Sequence, residues 1–302
     1  MRWWIGGLVA LSALISAQGA LACSGSAREK LIEFKFQDEA RRALYIEPAT
    51  VPCGEDRPLV IALHGGGGSI DSMAEHYNFR REAEKHGWPL LVPNGISRFR
   101  SGKFATWNAG TCCGRAQETG ADDVAFIRAV LAQARKLGFR FDEARIYASG
   151  MSNGAMMSYQ LACNGEGLVR GIAPVAGTDN TLSCNPPRPV AVLHIHATDD
   201  RNVLFNGGCG PDCVTGTNFT SVPATMAKWR RINRTGNKAV HVDAKPGYKC
   251  TTWRGSADPV TLCEMQGGGH SWPGGEKFYR RQAEPSQAMD ATARIYAFFK
   301  AN

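Results

Sequence analysis

Residues 145–154 read RIYASGMSNG and decide the fold of this 302-residue chain. The first four residues predict a buried strand, a helix is predicted from about Ala155, and the turn between them has the pattern G-x-S-x-G. This pattern is typical of a nucleophile elbow, a turn so tight that glycine must flank an exposed and strained serine. We therefore predict that Ser152 is a nucleophile, provided that a histidine and an acid follow it in the sequence.

Strands and helices alternate on either side of this stretch. Continuous apolar runs such as 58–63 and 189–196 predict buried parallel strands. Further strands are predicted at 31–36, 43–47, 88–93, 169–176, 239–243 and 260–265, and helices at 72–86, 122–137, 155–163, 223–233 and 286–300. The alternation predicts an α/β fold with a mostly parallel, twisted sheet and helices on both faces.

The amino-terminal residues 1–22 have the features of a secretory signal peptide. A basic residue and a short apolar run, 5–15, precede the small-residue sequence Ala20-Leu21-Ala22. The run is too short to span a membrane, and no later stretch reaches the roughly 18 apolar residues that a span needs. We predict one catalytic domain over 23–302 and no stable membrane insertion, and the sequence leaves open whether Cys23 is lipidated.

All ten cysteines follow position 22. An even number behind a signal peptide predicts disulfides in an oxidising compartment, extracellular or periplasmic, rather than a metal site. Short loops favour the pairs Cys250–Cys263, Cys163–Cys184 and Cys23–Cys53. The remaining four, Cys112, Cys113, Cys209 and Cys213, can pair within each segment or across the two segments.

The chain has a formal net charge of +8, which becomes +7 without Arg2, the only charged residue in 1–22. Its basic residues are scattered in pairs and are not interleaved with aromatic residues along a stripe. Nucleic-acid binding proteins typically concentrate basic residues on one face. We therefore expect no nucleic-acid partner.

A serine hydroxyl needs a base, and the base needs an acid that holds its imidazole in the correct tautomer. His270 is the predicted base, because it follows the last predicted strand in a glycine-rich loop and precedes the final helix. His194 and His196 alternate along a buried strand and are predicted to be core histidines. Asp199 and Asp200 both leave the end of that strand, so either can be the acid, with Asp179 as a more distant candidate.

Backbone N–H groups must also face the developing oxyanion. The amide of Asn153 is one predicted donor, and the loop HGGGG at 64–68 supplies the other, for which we favour Gly66. A phosphate-binding loop is the competing interpretation, but no G-K-[ST] sequence follows these glycines. Trp272, Trp107 and His64 are candidates to contact the substrate, and the two tryptophans can instead pack under loops.

These residues resemble secreted esterases of the polyhydroxybutyrate depolymerase and feruloyl esterase type, a branch of the α/β-hydrolases. The resemblance covers nearly all of 23–302. It is carried by seven motifs in the order of the family: HGG at 64–66, WN at 107–108 with CCG at 112–114, DDVAF at 122–126, GMSNG at 150–154, APVAG at 173–177, HATDD at 196–200 and GHSWPGG at 269–275.

The resemblance implies a serine carboxylic-ester hydrolase that needs no metal or cofactor. It makes Ser152 the nucleophile, His270 the base and Asp200, rather than Asp199, the acid. The implied substrates are hydroxyalkanoate oligomers, or alternatively feruloyl or acetyl esters of plant polysaccharide. Ala197 and the run 201–205 depart from the family pattern and, with the insertion at 209–213, put substrate specificity in doubt.

Two other function classes stay open at this point. An acyltransferase would use the same residues and pass the acyl group to an alcohol, and a non-catalytic binding protein would use none of them. The oligomeric state cannot be derived from the sequence.

Overall fold

A computed structural model describes residues 27–50, 55–280 and 282–302. The predicted signal peptide and the predicted pair Cys23–Cys53 lie outside these residues. The strands are β1 (Arg28–Phe36), β2 (Glu39–Glu47), β3 (Leu59–Leu63), β4 (Leu90–Pro93), β5 (Ile146–Met151), β6 (Gly171–Val175), β7 (Ala191–Ala197), β8 (His241–Lys245), β9 (Tyr248–Trp253) and β10 (Val260–Met265). The helices are α1 (Ile70–His76), α2 (Phe79–His86), α3 (Gly114–Glu118), α4 (Asp123–Lys136), α5 (Asn153–Asn164), α6 (Val222–Ile232) and α7 (Ala291–Ala301).

The strands form one sheet in the order β1-β2-β4-β3-β5-β6-β7-β10-β9-β8. The six strands from β4 to β10 in this order are parallel, whereas β1, β2, β9 and β8 add antiparallel pairs at the two ends. Helices lie in the connections from β3 to β4, from β4 to β5 and from β5 to β6, whereas a loop without a helix joins β6 to β7. The predicted α/β fold with a mostly parallel sheet is confirmed.

Two apolar cores lie on opposite faces of the sheet. Successive side chains of β3 alternate between them, with Leu59 and Ile61 in one core and Val60 in the other. Helices α4, α5 and α6 cover the first face, and α1, α2 and α7 cover the second. Burial on both faces explains why the central strands read as continuous apolar runs.

The structure differs from the sequence-based expectation in several local places. The helix predicted over 72–86 is two helices, because Asn78 adopts the left-handed conformation at φ 59° and interrupts the helical path. Helix α7 starts at Ala291 rather than near 286. Asp290 caps this start, because its side chain accepts a hydrogen bond from the N–H of Ala293 at 3.0 Å. Strand β9 and the short helix α3 were not predicted.

Four disulfides connect the described cysteines. Cys163–Cys184 and Cys250–Cys263 are confirmed, and the four remaining cysteines pair within their own segments as Cys112–Cys113 and Cys209–Cys213. Of the helices in the described ranges, none combines the length and apolar character needed to cross a bilayer.

Candidate active site

Ser152 stands between β5 and α5 in a backbone conformation that few residues other than glycine adopt, with φ 55° and ψ −117°. The turn is closed by close backbone contacts. A Cβ atom on Gly154 would lie 2.2 Å from the carbonyl oxygen of Leu63, and one on Gly150 would lie 2.6 Å from the same oxygen. The two glycines are therefore required by space, and the predicted elbow geometry is present.

Three distant side chains meet at the carboxyl ends of the parallel strands. The Nε2 atom of His270 lies 2.9 Å from the Oγ atom of Ser152, and its Nδ1 atom lies 2.8 Å from an oxygen of Asp200. The carboxylate accepts from Nδ1–H, so Nε2 of the neutral ring is free to accept the serine proton. Ser152 is half-buried, which leaves its hydroxyl accessible from solvent.

The carboxylate of Asp200 is buried and fully hydrogen-bonded. Its Oδ1 atom accepts the backbone N–H groups of Asn202 at 2.8 Å and Val203 at 3.0 Å. Burial alone would raise the pKa of Asp200, but attraction to His270 when that ring is protonated, together with the hydrogen bonds from His196 and His270, holds this pKa below its ordinary range. Asp200 is therefore charged at neutral pH.

The neighbouring Asp199 has a different role. Its Oδ1 atom accepts the backbone N–H of Gly269 at 3.0 Å, directly before His270 in the chain. Asp199 thus fixes the loop, while Asp200 contacts the ring. Asp179 contacts neither the loop before His270 nor the His270 ring, since its Oδ2 atom accepts the indole N–H of Trp229 at 2.9 Å.

The glycine loop after β3 lies against the elbow. A Cβ atom on Gly65 would be 3.7 Å from the Cβ of Ser152, and one on Gly66 would be 3.6 Å from the Cβ of Asn153. The amide of Asn153 begins α5, where N–H groups have no partner within the helix. The side chain of Asn153 accepts from the N–H of Trp107 at 2.7 Å and donates to its carbonyl at 3.0 Å, which ties a third loop to the elbow.

The three predicted substrate contacts are buried, which argues against that role. His64 and Trp107 are 0 % exposed and Trp272 is 1 % exposed. The indole N–H of Trp107 donates to the carbonyl of His64 at 2.9 Å, and that of Trp272 donates to Thr292 Oγ1 at 3.0 Å. We correct the interpretation accordingly: these side chains have no surface to offer a substrate, and they support the loops around Ser152 from below.

His64 is held as a neutral ring. Its Nδ1 atom donates to the carbonyl of Gly65 at 2.8 Å, and its Nε2 atom accepts the backbone N–H of Gly95 at 3.0 Å. Burial lowers the pKa of His64 to about 4. Its ring therefore joins the glycine loop to the chain after β4 without carrying charge at neutral pH.

Sequence reasoning missed a buried ion pair that supports the same loops. Arg41 Nη2 lies 2.6 Å from Asp123 Oδ1, and Asp123 Oδ2 accepts the N–H of Asn108 at 2.8 Å. The sequence places Asp123 in the motif DDVAF at 122–126 and near the start of a predicted helix. Nothing in the sequence pairs it with Arg41, which lies on β2, because the contact is made across the fold.

One group of potential metal-ligating side chains occurs within the described ranges, formed by Cys163, Asp179 and Cys184. Both sulfur atoms belong to a disulfide, so neither is available as a thiolate ligand. The group therefore does not offer the donor set of a metal site.

Known proteins similar to this chain include esterases. Residues 41–176 match the family model described as Esterase PHB depolymerase. The Nocardia uniformis protein NocK, whose name gives it provisionally as an esterase, is 29% identical over 255 residues, which are 78% of this chain and 72% of NocK. The Aspergillus niger protein named "Probable feruloyl esterase C" is 27% identical over 295 residues, 96% of each chain.

A solved structure shares the fold over most of the molecule. The acetyl xylan esterase from Aspergillus awamori superimposes with a TM-score of 0.61 and 14% identity, over 90% of this chain and 100% of that chain. The domain match and the esterase relatives confirm the resemblance seen in the motifs. The chain is a carboxylic ester hydrolase with the α/β-hydrolase fold, and its residues 41–176 are similar to the Esterase PHB depolymerase family.

Proposed function

We propose that this protein is a secreted serine esterase in which Ser152, His270 and Asp200 act as the catalytic triad. The observation that supports this most strongly is the unbroken line of hydrogen bonds from Ser152 Oγ through His270 to Asp200, at 2.9 and 2.8 Å. Such an arrangement lets the ring remove the serine proton while the carboxylate stabilises the imidazolium that forms.

In the proposed reaction, His270 Nε2 takes the proton as Ser152 Oγ attacks the ester carbonyl. The negative charge that develops on the carbonyl oxygen is stabilised by the amide of Asn153 and an amide of the glycine loop, for which we propose Gly66. The imidazolium then protonates the leaving alcohol, and an acyl-enzyme remains. Water activated by His270 releases the acid and restores the serine.

We propose hydroxyalkanoate oligomers as substrates, in keeping with the family description. A second class is favoured by a specific finding, since a relative named as a feruloyl esterase aligns over 96% of this chain. Hydrolysis of hydroxybutyrate oligomers, methyl ferulate and acetylated xylan, measured in parallel, discriminates the two. The highest kcat/KM on the oligomers supports the first class, and the highest value on either plant ester contradicts it.

The triad is tested with a short-chain p-nitrophenyl ester. We expect a burst of p-nitrophenol equal to the enzyme concentration, and its complete loss in Ser152→Ala. An added sugar acceptor that lowers acid release while acylated sugar accumulates would indicate an acyltransferase instead. A protein that binds these esters without turnover would contradict an enzymatic function.

We also propose that residues 1–22 direct secretion and that 23–302 form one catalytic domain. The four disulfides support an oxidising compartment, because such bonds are rare in the reducing cytosol. Expression of the full chain in a bacterium, followed by amino-terminal sequencing of the protein outside the cytoplasm, tests this. A first residue at Cys23 is the expected result, and retention of the uncleaved chain in the cytoplasm contradicts it.

A further inference from the structure

We propose that His196 is a positioning residue for Asp200, and that His194 and Tyr159 hold His196 in the tautomer that this task requires. The inference rests on the proposed function, because it assigns the support of the proposed catalytic acid. The four side chains are all buried, with exposed fractions of 3 % or less. The nucleophile mechanism given above uses only Asp200 among them.

The hydrogen on His196 Nε2 is fixed by its neighbours. This atom lies 2.9 Å from the carbonyl oxygen of Val203 and 3.3 Å from Oδ2 of Asp200. Both neighbours are acceptors, so His196 Nε2 must carry a hydrogen. The N–H donates to the carbonyl of Val203, and its positive end also lies close to the Oδ2 atom of Asp200 that accepts from His270.

The rest of the chain of hydrogen bonds follows from this assignment. In neutral His196 the Nδ1 atom is an acceptor, and it lies 3.2 Å from His194 Nε2, which must then carry a hydrogen. His194 Nδ1 in turn accepts from the hydroxyl of Tyr159 at 2.7 Å. Burial lowers the pKa of His194 well below its ordinary value, which agrees with a neutral ring. Each donor therefore points towards Asp200.

The chain of hydrogen bonds also joins two parts of the site. Tyr159 lies on α5, the helix that follows Ser152, whereas His194 and His196 lie on β7, which leads into Asp200. A displacement of α5 relative to β7 would have to break these buried bonds, and an unpaired buried polar group costs free energy. The arrangement thus couples the position of the nucleophile to that of the acid.

Loss of the His196 donor has a predictable consequence. Oδ2 of Asp200 would keep His270 as its only side-chain donor, and the carboxylate would become less well oriented and more basic. The titratable groups around Asp200 and His196 are His270 from the loop after β10, Asp199 beside Asp200, His194 on β7 with Tyr159 of α5 behind it, and Glu264 on β10, which pairs with His196 in the sheet. A more basic Asp200 stabilises the imidazolium of His270, so the acidic limb of the kcat/KM profile should move to higher pH.

Nuclear magnetic resonance of wild-type protein labelled with 15N-histidine reads the tautomers directly. We expect neutral His196 with its hydrogen on Nε2 and neutral His194 with its hydrogen on Nε2 at pH 7. A hydrogen on Nδ1 of His196, or a doubly protonated His196, would overturn the inference. This result does not depend on any enzymatic activity.

Kinetics provide the second test. His196→Leu removes the donor and should lower kcat about 10- to 100-fold with KM nearly unchanged, because a hydrogen bond to a charged group is lost. His196→Gln can place an amide N–H near the Nε2 position and should restore most of kcat and the wild-type acidic limb. His241→Leu is the matched control, since His241 is an exposed histidine on β8.

The outcomes separate the two proposals. If folded His196→Leu keeps wild-type kcat and pH profile, the positioning role is wrong while the esterase proposal stands. If the wild-type protein hydrolyses no ester, the esterase proposal is wrong, and the tautomer assignment is judged by the resonance data alone. If His196→Leu does not fold, the His196→Gln variant and the wild-type spectra decide. A folded His196→Gln variant whose kcat is as low as the residual kcat of Ser152→Ala contradicts the inference.

Discussion

At the scale of the residue, Asp199 and Asp200 differ by one position and contact different groups. Both follow β7, and the residues themselves did not distinguish them; only the resemblance favoured Asp200. The structure distinguishes their roles, because Oδ2 of Asp200 is 2.8 Å from His270 Nδ1 while Asp199 accepts the N–H of Gly269. Both residues lie in the turn after β7, so the alternation of side chains along a strand does not assign their partners.

Substitution of each aspartate by asparagine tests this difference. In Asp200→Asn the side chain can donate to His270 and stabilise the wrong tautomer, so we expect kcat to fall by roughly 10⁴-fold. In Asp199→Asn an oxygen remains to accept the N–H of Gly269, so we expect less than about a tenfold loss. Steady-state kinetics on one p-nitrophenyl ester measure both. A larger loss in Asp199→Asn than in Asp200→Asn would reverse the assignment.

Residue identity alone was misleading for aromatic side chains. Trp107 and Trp272 stand beside predicted site motifs, and aromatic residues commonly line ligand pockets. Both are instead buried, with their indole N–H groups bonded inside the protein. Proximity in sequence to a catalytic motif does not reveal whether a side chain points into the site or beneath it.

At the scale of the element, the elbow was predictable because steric constraints act within a few residues. Gly150 and Gly154 are required by close contacts with the backbone of the adjacent β3, and the motif G-x-S-x-G contains both glycines. The break between α1 and α2 was not predictable in the same way, because Asn78 is compatible with a helix and only its left-handed φ of 59° shows the turn. Helix ends are decided by single residues whose alternatives differ little in free energy.

The glycine loop gives a pH prediction at this scale. His64 is neutral in the folded protein with a pKa of about 4, below the ordinary value of 6.5 that it regains on unfolding. As the pH falls from 6.5 to 4, the unfolded chain binds this proton before the folded protein does. Stability is therefore fully present above about pH 6.5 and declines by about 3 kcal/mol towards pH 4.

Denaturant unfolding at several pH values measures this decline. His64→Gln does not titrate, so its stability should fall less steeply than that of the wild type between pH 6.5 and 4. The exposed His241→Gln serves as the control and should follow the wild-type slope. Equal slopes for the wild type and His64→Gln would mean that His64 is not held neutral.

At the scale of the whole molecule, the sheet brings together at one edge four parts of the site that are spread along the chain from residue 64 to residue 270. The parallel strands β3, β5, β7 and β10 are neighbours in the sheet or are separated by one strand. The glycine loop follows β3, Ser152 follows β5, Asp200 follows β7 and His270 follows β10. The succession of these strands along the chain was predictable, because predicted strands and helices alternate in the sequence. The buried pair of Arg41 and Asp123 and the pairing of β9 between β8 and β10 were not, because they depend on contacts between distant segments.

The disulfides give a prediction at the same scale. Cys163 and Cys184 are 21 residues apart, whereas Cys209 and Cys213 are 4 apart. Loop-closure entropy predicts that replacing the first pair by alanine lowers the free energy of unfolding by about 3 kcal/mol, and replacing the second by about 2 kcal/mol. Denaturant unfolding of the two double variants gives both values, and a larger loss for the shorter loop would contradict the entropic explanation.

The central claim is that Ser152 carries the acyl group during turnover. Mass spectrometry of protein quenched during hydrolysis of p-nitrophenyl acetate tests it most directly. We predict an increase equal to one acetyl group, located on the peptide that contains Ser152 and missing from Ser152→Ala. An acetyl group on a different residue in a protein that turns over, or undiminished turnover by Ser152→Ala, would contradict the account.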